Sequence, residues 1–457
     1  MLTNQDYSGS ADQEVKIAAY EREIREAQAM GIDGFALNAG GWLRQPSYIR
    51  YAAQMFEAAV RLHSNFKLMF SADMCCGNGI EDVADMMRRF AGNPRYAPVY
   101  FQYKGAFVLT TFAGDKLGPA AWRRLRSDLA TGAHPSTHIE PTALPTASAP
   151  PGNAPIHIFL VPAFFWGGEL PSREPIERAF HEWRSTIDGF FYWGIAGVPG
   201  SGGYLGSAGS FGSFDQLGSS HVYASILHSG GKLYMAPICL QFWGSNANRY
   251  YEYSGAAGMR AMWMDAIGVT HPDWVEIITW NDFIEGTYIS PIDDPNKYPD
   301  ANYLDASGVP LGQRNYFSSR AAAAGLLAFF IKWYKTGVEP AIASDAVYYF
   351  YRTQPAEVDA GKPPVAHKYG PVADALYITA NLTAPADLRV TTGSGTTVLH
   401  LPAGSSDALA PLAAGAAPRL ELLRNHRVFA TGQGPEPIDA HPEFNNYYYA
   451  VGKLTAP

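Results

Sequence analysis

Cysteine is scarce in this 457-residue chain: there are three, with Cys75 and Cys76 adjacent and Cys239 far away. That spacing excludes a disulfide framework and a CxxC metal site, and the three are expected to be buried thiols. Charge is scarce too. Asp, Glu, Lys and Arg make up 17% of the residues, below the usual quarter, and the net charge is −8 with no long run of Lys and Arg. A groove that tracks phosphates needs such a run, so nucleic acid is not an expected partner. Long apolar segments are missing as well. The longest, Ala321 to Ile331, is too short to span a bilayer, so no membrane partner is expected. The opening MLTNQDYSGS has neither the basic nor the apolar region of a secretory signal.

Several catalytic motifs are absent. The glycine-rich tract Gly197 to Phe214 lacks the Lys-Ser/Thr of a phosphate-binding loop and the strand-GxGxxG-helix setting; it reads as a loop rimming a site, with Tyr204 and Phe211 as sugar contacts. No histidine pair has HxH or HExxH spacing, and His134 and His138 fall in a Pro-rich tract. No G-x-S-x-G elbow points to Ser-His-Asp chemistry. No metal and no cofactor are therefore expected. What the chain has in excess is aromatic rings, 13% of its residues with 10 Trp and 27 Tyr. Most must fill the core, yet the excess also suits a surface that stacks on flat partners such as sugar rings.

Helix and strand patterns alternate through the first two thirds. A helix over Ala11 to Met30 stops at Gly31, and a short apolar strand, GFALNAG, follows. Further strands are read at FKLMFSADM from Phe66, AFVLTTF from Ala106, IHIFLVPAFFW from Ile156, IDGFFYWGIA from Ile187, KLYMAPICLQFW from Lys232 and WVEIIT from Trp274. Helices are read at Pro46 to His63, Glu81 to Phe90, Ala120 to Leu129 and Phe317 to Lys335, with a Pro-rich loop from His134 to Pro155. Seven strands separated by helices or long loops predict an α/β fold, one strand short of a closed (β/α)8 TIM barrel. The last falls where an eighth strand belongs, so Met1 to Asn4 are expected to be the end of a truncated first strand. Beyond Gly337 the pattern becomes short strands divided by turns, from AVYYFYRT at Ala346 to NNYYYAVG at Asn445. The expected domains are a catalytic barrel over 1–338 and an accessory all-β sandwich over 339–457.

Reactive groups of such a barrel sit at the carboxyl ends of its strands. There the sequence delivers Asn38, Asp73, Thr111 with Asp115, Trp166 with Glu169, Trp193, Gln241 with Trp243, and finally Trp280, Asn281, Asp282 and Glu285. In WVEIITWNDFIEGTYIS, Val275, Ile277 and Ile278 read as strand interior, and two carboxylates three residues apart follow. Paired carboxyls, one protonated and one ionised, are what acid and base chemistry at a sugar requires. The bland alternative is that Asp282 caps a turn and Glu285 is solvated. Asp282 and Glu285 are the candidate catalytic pair; Asn38, Asp73, Trp193, Gln241, Trp243, Trp280 and Asn281 are the candidate substrate contacts. Amides and carboxylates bind hydroxyl groups, and Trp faces cover the apolar side of a ring.

With those residues assembled, the chain resembles glycoside hydrolase family 71, the endo-α-1,3-glucanases also called mutanases. The resemblance is carried by GIDGFALNAG, KLMFSADM, FVLTTFAGD, FYWGIAG, YMAPI and above all VEIITWNDFIEGTYISPI, over roughly residues 11 to 340, and touches AVYYFYRT. It implies a (β/α)8 barrel with a trailing β-sandwich, inverting hydrolysis of α-1,3-linked glucan, catalysis by Asp282 and Glu285, and a secreted or periplasmic location. The family's first strand ends His-Tyr/Phe-Met, of which only Met1 remains here, with Asn4 at the strand's carboxyl end. The Cys75-Cys76-Gly77 segment departs from the family's pattern.

The expected mechanism has Glu285 protonating the leaving oxygen while Asp282 activates water on the other face of the ring, or the two in exchanged roles. Asp73 and Asn281 would orient the pair or hold hydroxyl groups, and Trp243 and Trp280 would be ring platforms. One rival is a glycosidase of another linkage or with a retaining mechanism. The other is a polysaccharide-binding protein without turnover, for which paired acids would be superfluous.

Overall fold

The computed structural model describes residues 12–132, 154–164, 173–193, 215–244, 249–291, 319–362, 365, 367–369, 372–393 and 395–455. The Met1–Asn4 strand end, His134, His138, Trp166, Glu169, Tyr204 and Phe211 lie outside the described residues. Seven strands follow one another: β1 Gly34–Gly40, β2 Lys67–Asp73, β3 Ala106–Phe112, β4 Ile158–Pro162, β5 Gly189–Phe191, β6 Leu233–Cys239 and β7 Trp274–Ile278. They are the seven expected. Pairing is parallel from β1 to β2, β2 to β3, β3 to β4 and β5 to β6. A parallel bridge between Ala163 and Phe191 joins β4 to β5, and β7 lies beside β6.

Parallel neighbours need crossovers, and the helices supply them. α1 Gln13–Ala29 starts at Asp12, whose carboxylate accepts the Glu14 N–H at 2.9 Å. α2 Pro46–Leu62 has proline in its first turn, where no N–H is missed. Later come α3 Ile80–Met86, α4 Pro119–Ala130, α5 Arg173–Trp183, α6 Asp215–Ser229, α7 Ala257–Asp265 and α8 Ala324–Thr336. Strands covered on both faces lose their polar alternation, which is why all seven residues of β6 are buried. Phe56, Phe70, Phe90 and Tyr96 interlock between β2 and its helices, Phe56 and Phe90 with centroids 4.6 Å apart. Among the described residues no helix is long and apolar enough to cross a membrane.

The expectation of three buried thiols is corrected: Cys239 is buried, but Cys75 and Cys76 are exposed. They stand in the turn after β2, where their N–H groups bond to Asp73 Oδ1 and their side chains face solvent.

The chain divides into two compact units. One holds the described residues up to 193 with Gly218–Pro237 and Thr270–Glu276; the other holds Ile238–Val269 and the described residues from Ile277 onward. In the second, two four-stranded antiparallel sheets share one core. The first runs β12 Gly404–Pro411, β9 Ala375–Leu382, β8 Ala346–Arg352, β15 Tyr449–Thr455; the second runs β11 Gly395–Leu401, β10 Ala386–Thr392, β13 Arg419–Arg424, β14 Arg427–Gln433. Val347, Tyr349, Tyr351, Leu376, Leu388 and Leu420 meet between them. Two strand expectations change. β12 is not expected from the sequence because GSSDALAP is rich in Gly, Ser, Asp and Pro and lacks β-branched residues. NNYYYAVG enters its strand only at Tyr449, because the Asn445 N–H bonds to the Lys362 carbonyl and the Asn446 and Tyr448 N–H groups bond to the Gln354 and Asn446 side chains instead of to a neighbouring strand.

Candidate active site

β7 delivers the chain into a tight hairpin-like loop. Its first residue, Thr279, donates its N–H to the Thr287 carbonyl at 3.0 Å and accepts the Ile289 N–H at 2.9 Å. The Thr279 and Thr287 hydroxyls lie 2.9 Å apart, and Thr279 Oγ1 also accepts the Asp282 N–H at 2.8 Å. Asp282 Oδ1 in turn accepts the Glu285 N–H at 3.1 Å, and Gly286 N–H closes the turn onto the Phe283 carbonyl at 3.2 Å. The bland reading of Asp282 as a turn cap and the chemical one are thus compatible. Phe283 and Ile284 are buried, while Asp282 and Glu285 keep part of their surface. The intervening apolar pair anchors the turn between the two acids. Trp280 and Asn281 share that partial exposure.

Gly286 holds φ at +65°, and a Cβ there would stand 2.4 Å from the Tyr448 ring, so only glycine fits. The next support comes from the residues after β6. The Trp243 N–H donates to the Glu285 carbonyl at 2.8 Å. Trp243 is fully buried, with its ring against Tyr447 and Tyr448 at 5.6 and 4.7 Å. Gln241, also fully buried, accepts the Tyr449 N–H at 3.0 Å and an Arg320 N–H at 2.8 Å and donates to the Tyr447 carbonyl. Its amide acts as one more rung of backbone pairing. Gln241, Trp243 and the Asp282–Glu285 turn are therefore brought together, with Trp280 and Asn281 on the same loop.

Asn38, Asp73 and Trp193 belong to the other unit. Asn38 sits on β1 in register with Ser71 of β2. Asp73 closes β2 with Oδ1 engaged by the Cys75 and Cys76 N–H groups at 2.8 and 3.0 Å. Trp193 follows β5, half-buried, its ring 5.0 Å from Phe112. Among the described residues no group of three His, Cys, Asp or Glu side chains could hold a metal ion.

Glu276 was missed. It occupies the face of β7 shared with Trp274, whose ring packs on Phe101, Tyr103 and Phe159 at 5.1 to 6.1 Å. Val275, Ile277 and Ile278 are the expected strand interior, yet Oε2 of Glu276 is shielded from solvent and has no hydrogen-bond partner among the described residues. Period-2 alternation, with Glu276 between Trp274 and Ile278 on one side, is the signal that could have found it. Burial pushes its carboxyl up to about 8 from the ordinary 4.5. A raised native value means that folding holds a proton which the unfolded chain releases above about pH 4.5. The stabilisation is complete below that pH and is lost as pH rises through about 8. Glu276→Gln, permanently neutral, is expected to match the native chain near pH 4.5 and to exceed it above pH 8 by roughly 2–4 kcal/mol. Apparent Tm measured against pH for both proteins checks this; two parallel curves would refute it.

Comparison with known proteins bears on what this arrangement does. The family-wide sequence model described as Glycosyl hydrolase family 71 matches residues 7–457. Curated relatives include the Glucan endo-1,3-alpha-glucosidase agn1 of Schizosaccharomyces pombe, 28% identical over 95% of this chain and 91% of its own. The Mutanase Pc12g07500 of Penicillium rubens is 26% identical over 94% and 84%. The Ascus wall endo-1,3-alpha-glucanase of Schizosaccharomyces pombe is 23% identical over 91% and 88%.

Proposed function

The chain belongs to glycosyl hydrolase family 71 and is a glycosidase, and on that premise we propose that it hydrolyses α-1,3-glucosidic bonds of α-glucan with inversion, through Asp282 and Glu285. The observation that carries the proposal is the turn after β7, which holds both carboxylates at partial exposure on a buried Phe283-Ile284 base. In this proposal Asp282 activates the water as base and Glu285 protonates the departing oxygen. The names of the relatives, glucan endo-1,3-alpha-glucosidase and mutanase, support α-1,3-glucan as the substrate.

In this proposal the parallel row closes as a (β/α)8 barrel over 1–338, followed by the sandwich over 339–457. Asn38, Asp73, Trp193, Trp280 and Asn281 bind sugar hydroxyls and ring faces, whereas Gln241 and Trp243, fully buried, act from behind the turn. A wall polysaccharide is too large to enter a cell, so an enzyme acting on it works in a secreted or periplasmic setting.

The test is a screen on α-1,3-, α-1,4- and mixed-linkage α-glucan, with the new anomer followed by proton NMR. Release from α-1,3-glucan with the β-anomer formed first is expected. An α-anomer would replace inversion by retention, and activity confined to another linkage would overturn the substrate.

A further inference from the structure

The turn that carries Asp282 and Glu285 is fastened by one hydroxyl from the end of the sandwich sequence. Tyr448 is 1% exposed and donates its hydroxyl to the Phe283 carbonyl, with the Ile284 carbonyl at 3.5 Å. Those two carbonyls lie between the two acids. The Tyr448 ring fills the space against Gly286, touches Trp243 at 4.7 Å and faces Tyr288 at 6.1 Å. Trp243 completes the clamp, because its N–H holds the Glu285 carbonyl. The turn is therefore gripped at Phe283 and at Glu285, by Tyr448 and by the backbone of Trp243.

Tyr448 is itself held from several directions. Its N–H bonds to Asn446 Oδ1 at 3.1 Å, and the Asn446 N–H bonds to Gln354 Oε1 at 2.6 Å. Asn445 is fully buried and spans Asp359, Gln354 and the Ala360 N–H. On the other side Gln241 holds the Tyr447 carbonyl and the Tyr449 N–H, and Arg320 holds the Tyr449 carbonyl at 2.8 Å. These bonds fix the Tyr448 oxygen, which adds an outside hold to the turn's own bonds at Thr279, Asp282 and Gly286.

We infer that Tyr448 is a positioning residue for the reaction, so that the sandwich sequence supplies part of the catalytic machinery. The inference rests on the reading of Asp282 and Glu285 as the reacting pair. Reacting groups lose activity steeply when displaced by about an ångström, by as much as 100-fold. Tyr448→Phe removes the hydroxyl and keeps the ring against Trp243 and Gly286. Its kcat on α-1,3-glucan is expected to fall about 10- to 100-fold with KM within about threefold and apparent Tm within a few degrees. Unchanged kcat overturns the inference, and so does a fall in Tm with native kcat per folded molecule, because that is a purely structural role. Asn446→Ala, which removes the acceptor of the Tyr448 N–H, is the second variant and is expected to lower kcat in the same direction; native kcat there overturns the inference as well. Asp282→Asn in the same assay separates the two ideas. If it is inactive while Tyr448→Phe is native, only the positioning role fails; if Asp282→Asn is active, the pair fails and the inference with it.

Discussion

Asp282→Asn and Glu285→Gln are each expected to lower the release of reducing sugar from α-1,3-glucan by about 10³-fold or more, with apparent Tm within a few degrees of the native value. General acid or base catalysis contributes about 10² to 10⁴ in rate, and inversion needs both partners at once. The choice of variants matters. Asp282 also caps the turn through Oδ1, and asparagine keeps an oxygen that accepts the Glu285 N–H, so Asp282→Asn preserves the turn while removing the base. Alanine would remove both and confuse chemistry with folding. Glu285 holds the turn through its main-chain carbonyl to Trp243, which Glu285→Gln leaves untouched. A glucosyl donor with fluoride as leaving group, which departs without a proton, assigns the roles. Glu285→Gln should recover activity on it and Asp282→Asn should not; the opposite pattern exchanges acid and base. Near-native activity of both variants on α-1,3-glucan would abandon the pair.

The second large effect is on stability. Arg352 and Glu252 form an ion pair at 2.5 Å with side chains 1% and 0% exposed. Glu252 also receives the Tyr449 hydroxyl, the Tyr250 hydroxyl at 3.1 Å and the Ser254 N–H at 2.7 Å, and Arg352 donates to the Ala373 carbonyl. Burial raises the Tyr250 and Tyr449 hydroxyls far above their ordinary range, so both remain donors to the carboxylate. Removing one member of a buried pair leaves the other charge without compensation, at a cost of about 3–5 kcal/mol. Arg352→Met is therefore expected to depress apparent Tm by roughly 3–10 °C. Adding Glu252→Gln should recover part of the loss, since a neutral amide keeps hydrogen bonds to the tyrosines and no longer carries a buried charge. Thermal unfolding of the single and double variants checks this. A shift below about 2 °C for Arg352→Met would mean that the pair is not what holds this region.

Much of the architecture was legible because hydrophobic periodicity is a local property. Each of the seven strands of the first row could be read from a short apolar segment between helices or long loops, and the sandwich strands from turn residues between β-branched and aromatic runs. Gly404–Pro411 escaped because its Gly, Ser, Asp and Pro residues give no apolar signature, and its pairing with β9 is a long-range fact. Glu276 escaped because an acidic residue in a strand is normally counted as solvent-facing, and nothing within WVEII says that its carboxyl end is shielded. Gln241 and Trp243 were placed at the right strand end, but their burial and their grip on Tyr447 to Tyr449 depend on residues 200 positions away.

What the sequence determined by itself was therefore chemical and periodic. It set the alternation of helix and strand, the carboxyl-end location of the polar residues, and two acids three apart followed by a glycine. The tertiary structure decided how those acids are held. Trp243 and Tyr448 converge on a turn already braced by Thr279, and hydrogen bonds between residues so far apart in the chain leave no trace in local spacing.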